Sequence, residues 1–320
     1  MVRLHVKDMK ILRELDFGAR QPISQIARKV GLSPEVTAYR IKQLEKQGII
    51  TGYYPVIDLS KLGYMFCRFR LIVENVDSEI EEKFINAVKN IPQLGWIIFG
   101  SSCLVSLIVY AKSIQEASEI YQQIARLFPG VIKSKAFSIA HKIYHFRRNY
   151  LYNTEEDEQL IWGEGGKVEI DEIDRKILVL LIHDARIKYT ELAAKVGLTS
   201  MAVLNRIKRL QRENLLLGTR CKLNVSKLGY SHYKISLLID KITTERKNSL
   251  KQLLRQSPNV VYITEALGPY DLEFEMDANS EQQVHQFLKK IKEKFPEIKG
   301  FENTTFYRME ILRYFPEKIN

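Results

Sequence analysis

Apolar positions recur at helical spacing at the start of the chain. Ile11, Leu12 and Leu15 share one face within Asp8 to Leu15. Gln21-Pro22 interrupts, and Pro22 suits the first turn of a new helix, where its missing N–H costs nothing. Ile23, Ile26, Ala27 and Val30 then form a second apolar stripe, which Gly31 stops because glycine accepts left-handed backbone. Ser33 follows as an N-cap with Pro34 at the first helical position. In this third helix Thr37, Ile41 and Leu44 fall on one face and are expected to pack on the first two helices. Glu35, Ala38, Tyr39 and Lys42 then point outward. A short helix, a glycine turn, a hydroxyl cap and a second helix make a helix-turn-helix.

Beyond Gly48 the pattern changes. Thr51-Gly52-Tyr53-Tyr54 reads as a small wing or the start of a strand, with the strand favoured. From Phe66 the alternation has period two, with Phe66, Arg68 and Arg70 on one face and Cys67, Phe69 and Leu71 on the other. A helix is expected from Ser78, strands over Leu94 to Phe99 and Leu104 to Tyr110, a helix capped by Ser113, and a last strand over Val131 to Phe146. That order, βαββαβ, is the ferredoxin-like arrangement. Its helices cover one sheet face and leave the other free to meet a second sheet.

The whole pattern occurs twice. Gly31 and Gly197 stand 166 positions apart (197 − 31), as do Asp8 and Asp174, Ala19-Arg20 and Ala185-Arg186, and Lys61-Leu62-Gly63-Tyr64 and Lys227-Leu228-Gly229-Tyr230. Roughly two positions in five agree across that span without a gap. A unit this long is a duplicated module rather than a solenoid repeat. Thr154-Glu155-Glu156-Asp157-Glu158 and Gly163-Glu164-Gly165-Gly166 mark a flexible connection between the copies. The expected organisation is α+β: helix-turn-helix domains over 1–54 and 169–220, ferredoxin-like domains over 55–148 and 221–320, and a linker over 149–168.

Length and charge agree with this picture. The 320 residues suffice for several domains. No apolar run reaches the roughly 20 residues of a membrane helix, and Met1 to Asp8 is too polar for a signal peptide. Cys67, Cys103 and Cys221 are isolated, which suits a reducing cytoplasm and argues against a cysteine zinc site. A net charge of +11 suits a polyanion, although charge alone would also fit a generic basic protein.

In a helix-turn-helix the second helix enters the DNA major groove and its N-terminal outward residues reach base edges. Those residues are Ser33, Pro34, Glu35, Ala38 and Tyr39, with Arg40 and Lys42 placed for phosphates, which position a protein without specifying sequence. In the second copy Thr199 caps the helix, and Val203, Ile207 and Leu210 form its buried set. Ser200, Met201, Leu204, Asn205 and Lys208 face outward, with Arg206, Arg209 and Arg212 nearby. The Asn205 amide matches adenine N6 and N7, while Met201 and Leu204 suit thymine methyls or another protein surface. The two helices differ, so a non-palindromic site or one dominant half-site is expected.

Taken in order, these motifs resemble the Lrp/AsnC family, the leucine-responsive and feast/famine transcription regulators of bacteria and archaea. The resemblance covers both modules. It implies winged helix-turn-helix domains, regulatory domains that dimerise through their sheets, and effectors, often amino acids, near that interface. Since usual members carry one module, it also implies an intrachain pseudo-dimer open to further homo-oligomerisation. In Gly268-Pro269-Tyr270-Asp271 it places the family's Gly-x-x-Asp turn, which makes Gly268, Tyr270 and Asp271 candidate effector residues together with Thr304 and Thr305. A purely structural hairpin is the competing reading. The first module has Cys103 where that aspartate would stand.

Two other classes compete. A branch resembling this family comprises siroheme decarboxylases with two fused modules, but the six histidines occupy no matching positions in the two regulatory halves. No nucleophile–base pair, phosphate loop or metal spacing stands out, so no catalytic, cofactor or metal site is expected. The other rival is an effector-sensing assembly protein whose helix-turn-helix domains no longer read DNA.

Overall fold

The computed structural model describes residues 4–74, 76–153, 158–311, 313, 314 and 316. The first module runs α1 (Val6–Phe17), α2 (Ile23–Val30), α3 (Pro34–Lys46), β1 (Ile50–Ile57), β2 (Met65–Val73), α4 (Ser78–Val88), β3 (Leu94–Gly100), β4 (Leu104–Ala111), α5 (Ile114–Leu127) and β5 (Ile132–Phe146). After β6 (Gln159–Trp162) the second module repeats the order: α6 (Glu172–His183), α7 (Tyr189–Val196), α8 (Ser200–Arg212), β7 (Leu216–Leu223), β8 (Ser231–Ile239), α9 (Thr244–Arg255), β9 (Val260–Leu267), β10 (Leu272–Ala278), α10 (Glu281–Lys294) and β11 (Ile298–Ile311). These elements form two compact units, and each unit draws on both modules. Among the described residues no helix is long and apolar enough to cross a membrane.

Unit 1 comprises the described residues of Met1–Asp58, His145–Trp162 and Val168–Tyr230. It holds both helix-turn-helix domains. Strands β1 and β7 pair antiparallel, with Tyr53 opposite Cys221 and Pro55 opposite Thr219. The repeated Ala-Arg pairs strengthen the join. Arg20 donates to the carbonyls of Ala185 at 2.7 Å and Ile187 at 2.8 Å and lies over the Tyr189 ring. Arg186 lies over the Tyr53 ring and donates to its hydroxyl at 3.2 Å. Each arginine therefore crosses to the other domain.

Unit 2 comprises the described residues of Leu59–Tyr144, Gly163–Lys167 and Ser231–Asn320. Its strands run β2-β4-β3-β11-β8-β10-β9-β5, and β5 also pairs with β2, so the two four-stranded sheets close into one ring. The side chains of alternate residues divide between its two faces. Cys67, Phe69, Leu71, Ile97, Phe99, Leu107 and Val109 pack outward beneath α4 and α5 with Phe84, Ala117, Ile120 and Ile124.

The linker departs from expectation. Composition marks 149–168 as flexible, but Leu151 is 5% exposed and joins the core of unit 1 with Ile11, Leu15, Ile49 and Cys221. Arg147 and Arg148 just before it are buried, and so is Trp162 at the end of β6. The cause lies on α1, where Asp16 is fully buried. Asp16 accepts from the Arg148 backbone N–H and Nη1, both at 2.8 Å, and from Arg220 Nη2 at 2.8 Å. A buried carboxylate needs such partners, and the chain after β5 supplies one. Residues Thr154 to Asp157 of the acidic run lie outside the described residues. Strands β1 and β7 run past the boundaries expected after residues 54 and 220, to Ile57 and Leu223, where they pair with each other.

Candidate nucleic-acid interface

Helices α3 and α8 are built alike. Gly31 and Gly197 end the preceding helices in left-handed conformation, at φ 67° and 71°. Ser33 Oγ then accepts from the Val36 N–H at 3.3 Å, and Thr199 Oγ1 from the Ala202 N–H at 3.2 Å. Both caps satisfy an N–H that a helix leaves unpaired. Thr37, Ile41 and Leu44 are buried, as are Val203, Ile207 and Leu210. The opposite faces are exposed: Ser33, Pro34, Glu35, Tyr39 and Lys42 on the first helix, and Met201, Asn205 and Lys208 on the second. Tyr39 is 63% exposed and Met201 64%, in keeping with surfaces made to be covered by something else. Ala38, Ser200 and Leu204 are half-buried beside them.

The arginines behave differently from the lysines. Arg40 Nη1 pairs with Asp8 at 2.9 Å. Arg206 Nη1 pairs with Asp171 at 2.7 Å and Asp174 at 2.8 Å, and Arg209 also pairs with Asp174. Both aspartates at the helix starts have two tasks. Asp8 accepts from the His5 N–H at 3.1 Å and Asp174 from the Asp171 N–H at 3.2 Å, closing the caps of α1 and α6. The N–H of Asp174 and Arg206 together hold the Asp171 carboxyl below its usual range. Arg40, Arg206 and Arg209 thus tie each recognition helix to the first helix of its own domain. Arg40 is the one expected at a phosphate, and it has an internal carboxylate partner as well. The signal was available: Asp8/Asp174 and Arg40/Arg206 are identical in both copies, while Tyr39/Asn205 and Glu35/Met201 diverge.

Around these pairs the two domains present unequal relief. Beside α8 lies a cleft of about 620 Å³ walled by Glu169, Asp171, Asp174, Asn205, Arg206 and Arg209. The matching cleft beside α3 has about 330 Å³ and is walled by Asp8, Tyr39, Arg40, Gln43 and Gln47.

The residues expected to hold an effector are dispersed in unit 2. A Cβ on Gly268 would stand 2.6 Å from Ser138 Cβ and 2.8 Å from the Phe137 carbonyl oxygen, so Gly268 serves the close approach of β9 to β5. Thr304 is buried, and its Cγ2 lies 2.7 Å from where a Cβ on Gly100 would stand. Thr305 exchanges hydrogen bonds with Ser101, its N–H donating to Ser101 Oγ at 3.2 Å and its carbonyl accepting from the Ser101 N–H at 3.0 Å. Thr304 and Thr305 thus belong to the β3–β11 seam and Gly268 to the β9–β5 seam. The ring closes at those two separate places. Tyr270 hydrogen-bonds Glu302, which pairs with Arg70. Asp271 is exposed at the turn. At the first module's turn, Ser102 and Cys103 take left-handed backbone at φ 61° and 56°.

Histidine and cysteine chemistry is subdued. Burial pushes the thiols of Cys67 and Cys221 up to about 12. His232 is bracketed by two carboxylates, its Nδ1 2.6 Å from Asp277 and its Nε2 3.1 Å from Glu275.

The comparisons with known proteins agree with the two helix-turn-helix domains. Residues 4–51 match a model of winged helix-turn-helix DNA-binding domains, and residues 170–211 match the AsnC-type helix-turn-helix domain. An uncharacterized HTH-type transcriptional regulator of Pyrococcus furiosus is 30% identical over 148 residues, covering 46% of this chain and 95% of the relative. The HTH-type transcriptional regulator LrpC of Bacillus subtilis is 31% identical over 119 residues, covering 37% of this chain and 81% of LrpC. Among solved structures, the siroheme decarboxylase NirDL superposes with a TM-score of 0.63 over 97% of this chain and 95% of that one. At 14% identity that likeness concerns the fold alone, and it extends to the tandem arrangement. With one module matching nearly the full length of its relatives and both helix-turn-helix domains recognised, the chain belongs to the Lrp/AsnC family of DNA-binding transcription regulators, in a form that carries the family's module twice.

Proposed function

We propose that this regulator reads an asymmetric DNA site with both recognition helices. The observation that carries this is the pair of unlike exposed faces, Glu35/Tyr39/Lys42 and Met201/Asn205/Lys208, carried on one unit joined through β1 and β7. Lys42 and Lys208 are identical, exposed and suited to phosphates, a contact that carries no sequence information and so can be shared by both half-sites. Arg212, exposed at the end of α8, adds a further cation beside them. Asn205 suits adenine, and Met201 with half-buried Leu204 suits thymine methyls. Tyr39 and Glu35 supply a different set on the other half-site. Effector control belongs to this reading at the exposed Asp271 turn, where an amino-acid ammonium group would find a free carboxylate; Thr304 and Thr305 are left out of it.

The test is selection from a random double-stranded DNA pool at two salt concentrations, with sequencing of the retained fraction. The reading expects an enriched, non-palindromic motif and an affinity that falls steeply with salt as counterions are released. A palindromic motif would remove the asymmetry. No motif, with weak binding even at low salt, would remove DNA reading and bring ligand assays forward, tetrapyrroles included.

A further inference from the structure

Inside the closed ring of unit 2, the two sheets turn faces of opposite charge toward each other. Because Cys67, Phe69 and Leu71 pack under the helices, Arg68 and Arg70 of β2 alternate onto the inner face. Opposite them in register on β4 stand Ile108 and Ser106, with Tyr110 opposite Phe66. The corresponding strand of the second module, β10, carries Glu275, Glu273 and Asp277, in register with Lys234, Ser236 and His232 of β8. Phe274 of β10 packs on Phe287 of α10, which puts these acids on the inner face as well.

Six of the charges form one ladder and Arg70 makes a pair beside it. Arg68 pairs with Glu273 and donates from Nε to Ser138 Oγ at 3.1 Å. Glu273 also accepts from Ser236 Oγ at 3.2 Å and pairs with Lys234 at 3.0 Å. Lys234 reaches Glu275 at 3.0 Å, and His232 links Glu275 to Asp277. Arg70 pairs with Glu302 of β11. Burial opposes the charge on His232, yet its hydrogen bonds to Asp277 and Glu275 raise it to about 10. Among the described residues named, the first face carries two positive charges. The second carries four carboxylates against Lys234 and protonated His232. The excess on one face cancels the excess on the other.

We propose that this ladder selects the pairing partner, so that the basic inner face of the first regulatory domain accepts the acidic inner face of the second and neither accepts its own kind. Two first-type faces would bury guanidinium groups with no carboxylate between them. Two second-type faces would bury carboxylates in excess. Uncompensated buried charge is a strong penalty, and building such a penalty against wrong partners is how specificity is secured. The partner of the first domain is therefore a second-type domain, which the closed ring takes from the same chain. The first-type face of another copy is refused there.

Two full-length variants test this. Arg68→Glu with Arg70→Glu makes both faces acidic, and Glu273→Lys with Glu302→Lys turns the second face basic. Alone, each is expected to lose about 10 °C or more of melting temperature. Co-expressed under different tags, the two are expected to purify together in equal amounts, with the mass of two chains and at least half of the lost melting temperature restored. That recovery separates partner choice from simple burial of charge. The proposal is overturned if either variant alone keeps the wild-type melting temperature as a single chain, or if co-expression restores neither.

Discussion

Helix α3 buries Thr37, Ile41 and Leu44, helix α8 buries Val203, Ile207 and Leu210, and in both an arginine just before the isoleucine ties the helix to an aspartate on the first helix of the domain. What these domains hide is alike, and what they show is different. The regulatory sheets reverse this on the face they turn to each other: Arg68 matches Lys234, but Ser106, Ile108 and Tyr110 stand where the other copy has Glu273, Glu275 and Asp277. The difference teaches what each interior is for. A helix-turn-helix interior only has to hold its own three helices, so the same solution serves twice. The inner faces have to fit each other, and two copies of one charged surface do not.

The largest effect is expected where both modules share one buried charge. Asp16→Ala leaves Arg148 and Arg220 facing each other without their carboxylate and should cost unit 1 about 3–5 kcal/mol, measured by urea denaturation. A loss under about 1 kcal/mol would mean that the linker docks through Leu151 and its apolar neighbours alone.

Acid should find the second face before the first. Burial resists ionisation of Glu273, but Lys234 and Arg68 hold its carboxyl down at about 2. Its contribution to stability is whole above about pH 4.5, the ordinary carboxylate range, and is lost as pH falls toward 2. His232, raised to about 10, contributes fully below about 6.5 and loses that contribution as pH rises through 10. A melting-temperature profile should therefore fall at both ends. Replacing His232 with Gln should flatten the alkaline limb and leave the acid limb in place; an unchanged alkaline limb would refute the assignment.

Next in size are the seams. Gly268→Ala would push a methyl into Ser138 and the Phe137 carbonyl, and Gly100→Ala would push one into Thr304. Each should cost roughly 1–3 kcal/mol as overpacking, read by thermal denaturation. The Gly268 variant should be the worse, since backbone blocks its methyl at 2.8 Å and only a side-chain methyl faces the other at 2.7 Å. The opposite order would show that the β3–β11 seam is the stiffer.

The DNA effects fall on binding rather than stability, and they also separate the two helices. Asn205→Ala should cost about 1–3 kcal/mol of discrimination at one base pair, visible as a relaxed position in the selected motif. Tyr39→Ala should relax a position in the other half-site. Lys42→Ala and Lys208→Ala should each weaken binding to every sequence and lower the salt slope by about one. If Asn205→Ala and Tyr39→Ala relax positions in the same half-site, only one helix reads bases.

Sequence alone determined the local frame: three-helix units from apolar spacing and glycine turns, strand alternation from Phe66, the order βαββαβ, and the duplication at a constant offset. Those signals are periodic or local, so they survive without coordinates. The unlike outward residues of α3 and α8 were legible too, because their buried neighbours are so regular. Tertiary structure decided everything that depends on which distant groups meet. Four expected domains became two units because β1 pairs with β7 and two sheets close into one ring. Leu151, set in a stretch that reads as linker, is core, next to Arg148 that pairs with the buried Asp16 of α1. The ion pairs of Arg40, Arg206 and Arg209 with aspartates 32 to 35 positions away appear only once the helices have packed. Alternation places Arg68 on the face left free for a second sheet, but Arg68 and Glu273, 205 residues apart, become a buried pair only once the ring has closed. Spacing along a chain encodes which face a residue takes, whereas the partner on that face is set by packing over distances that no local pattern records.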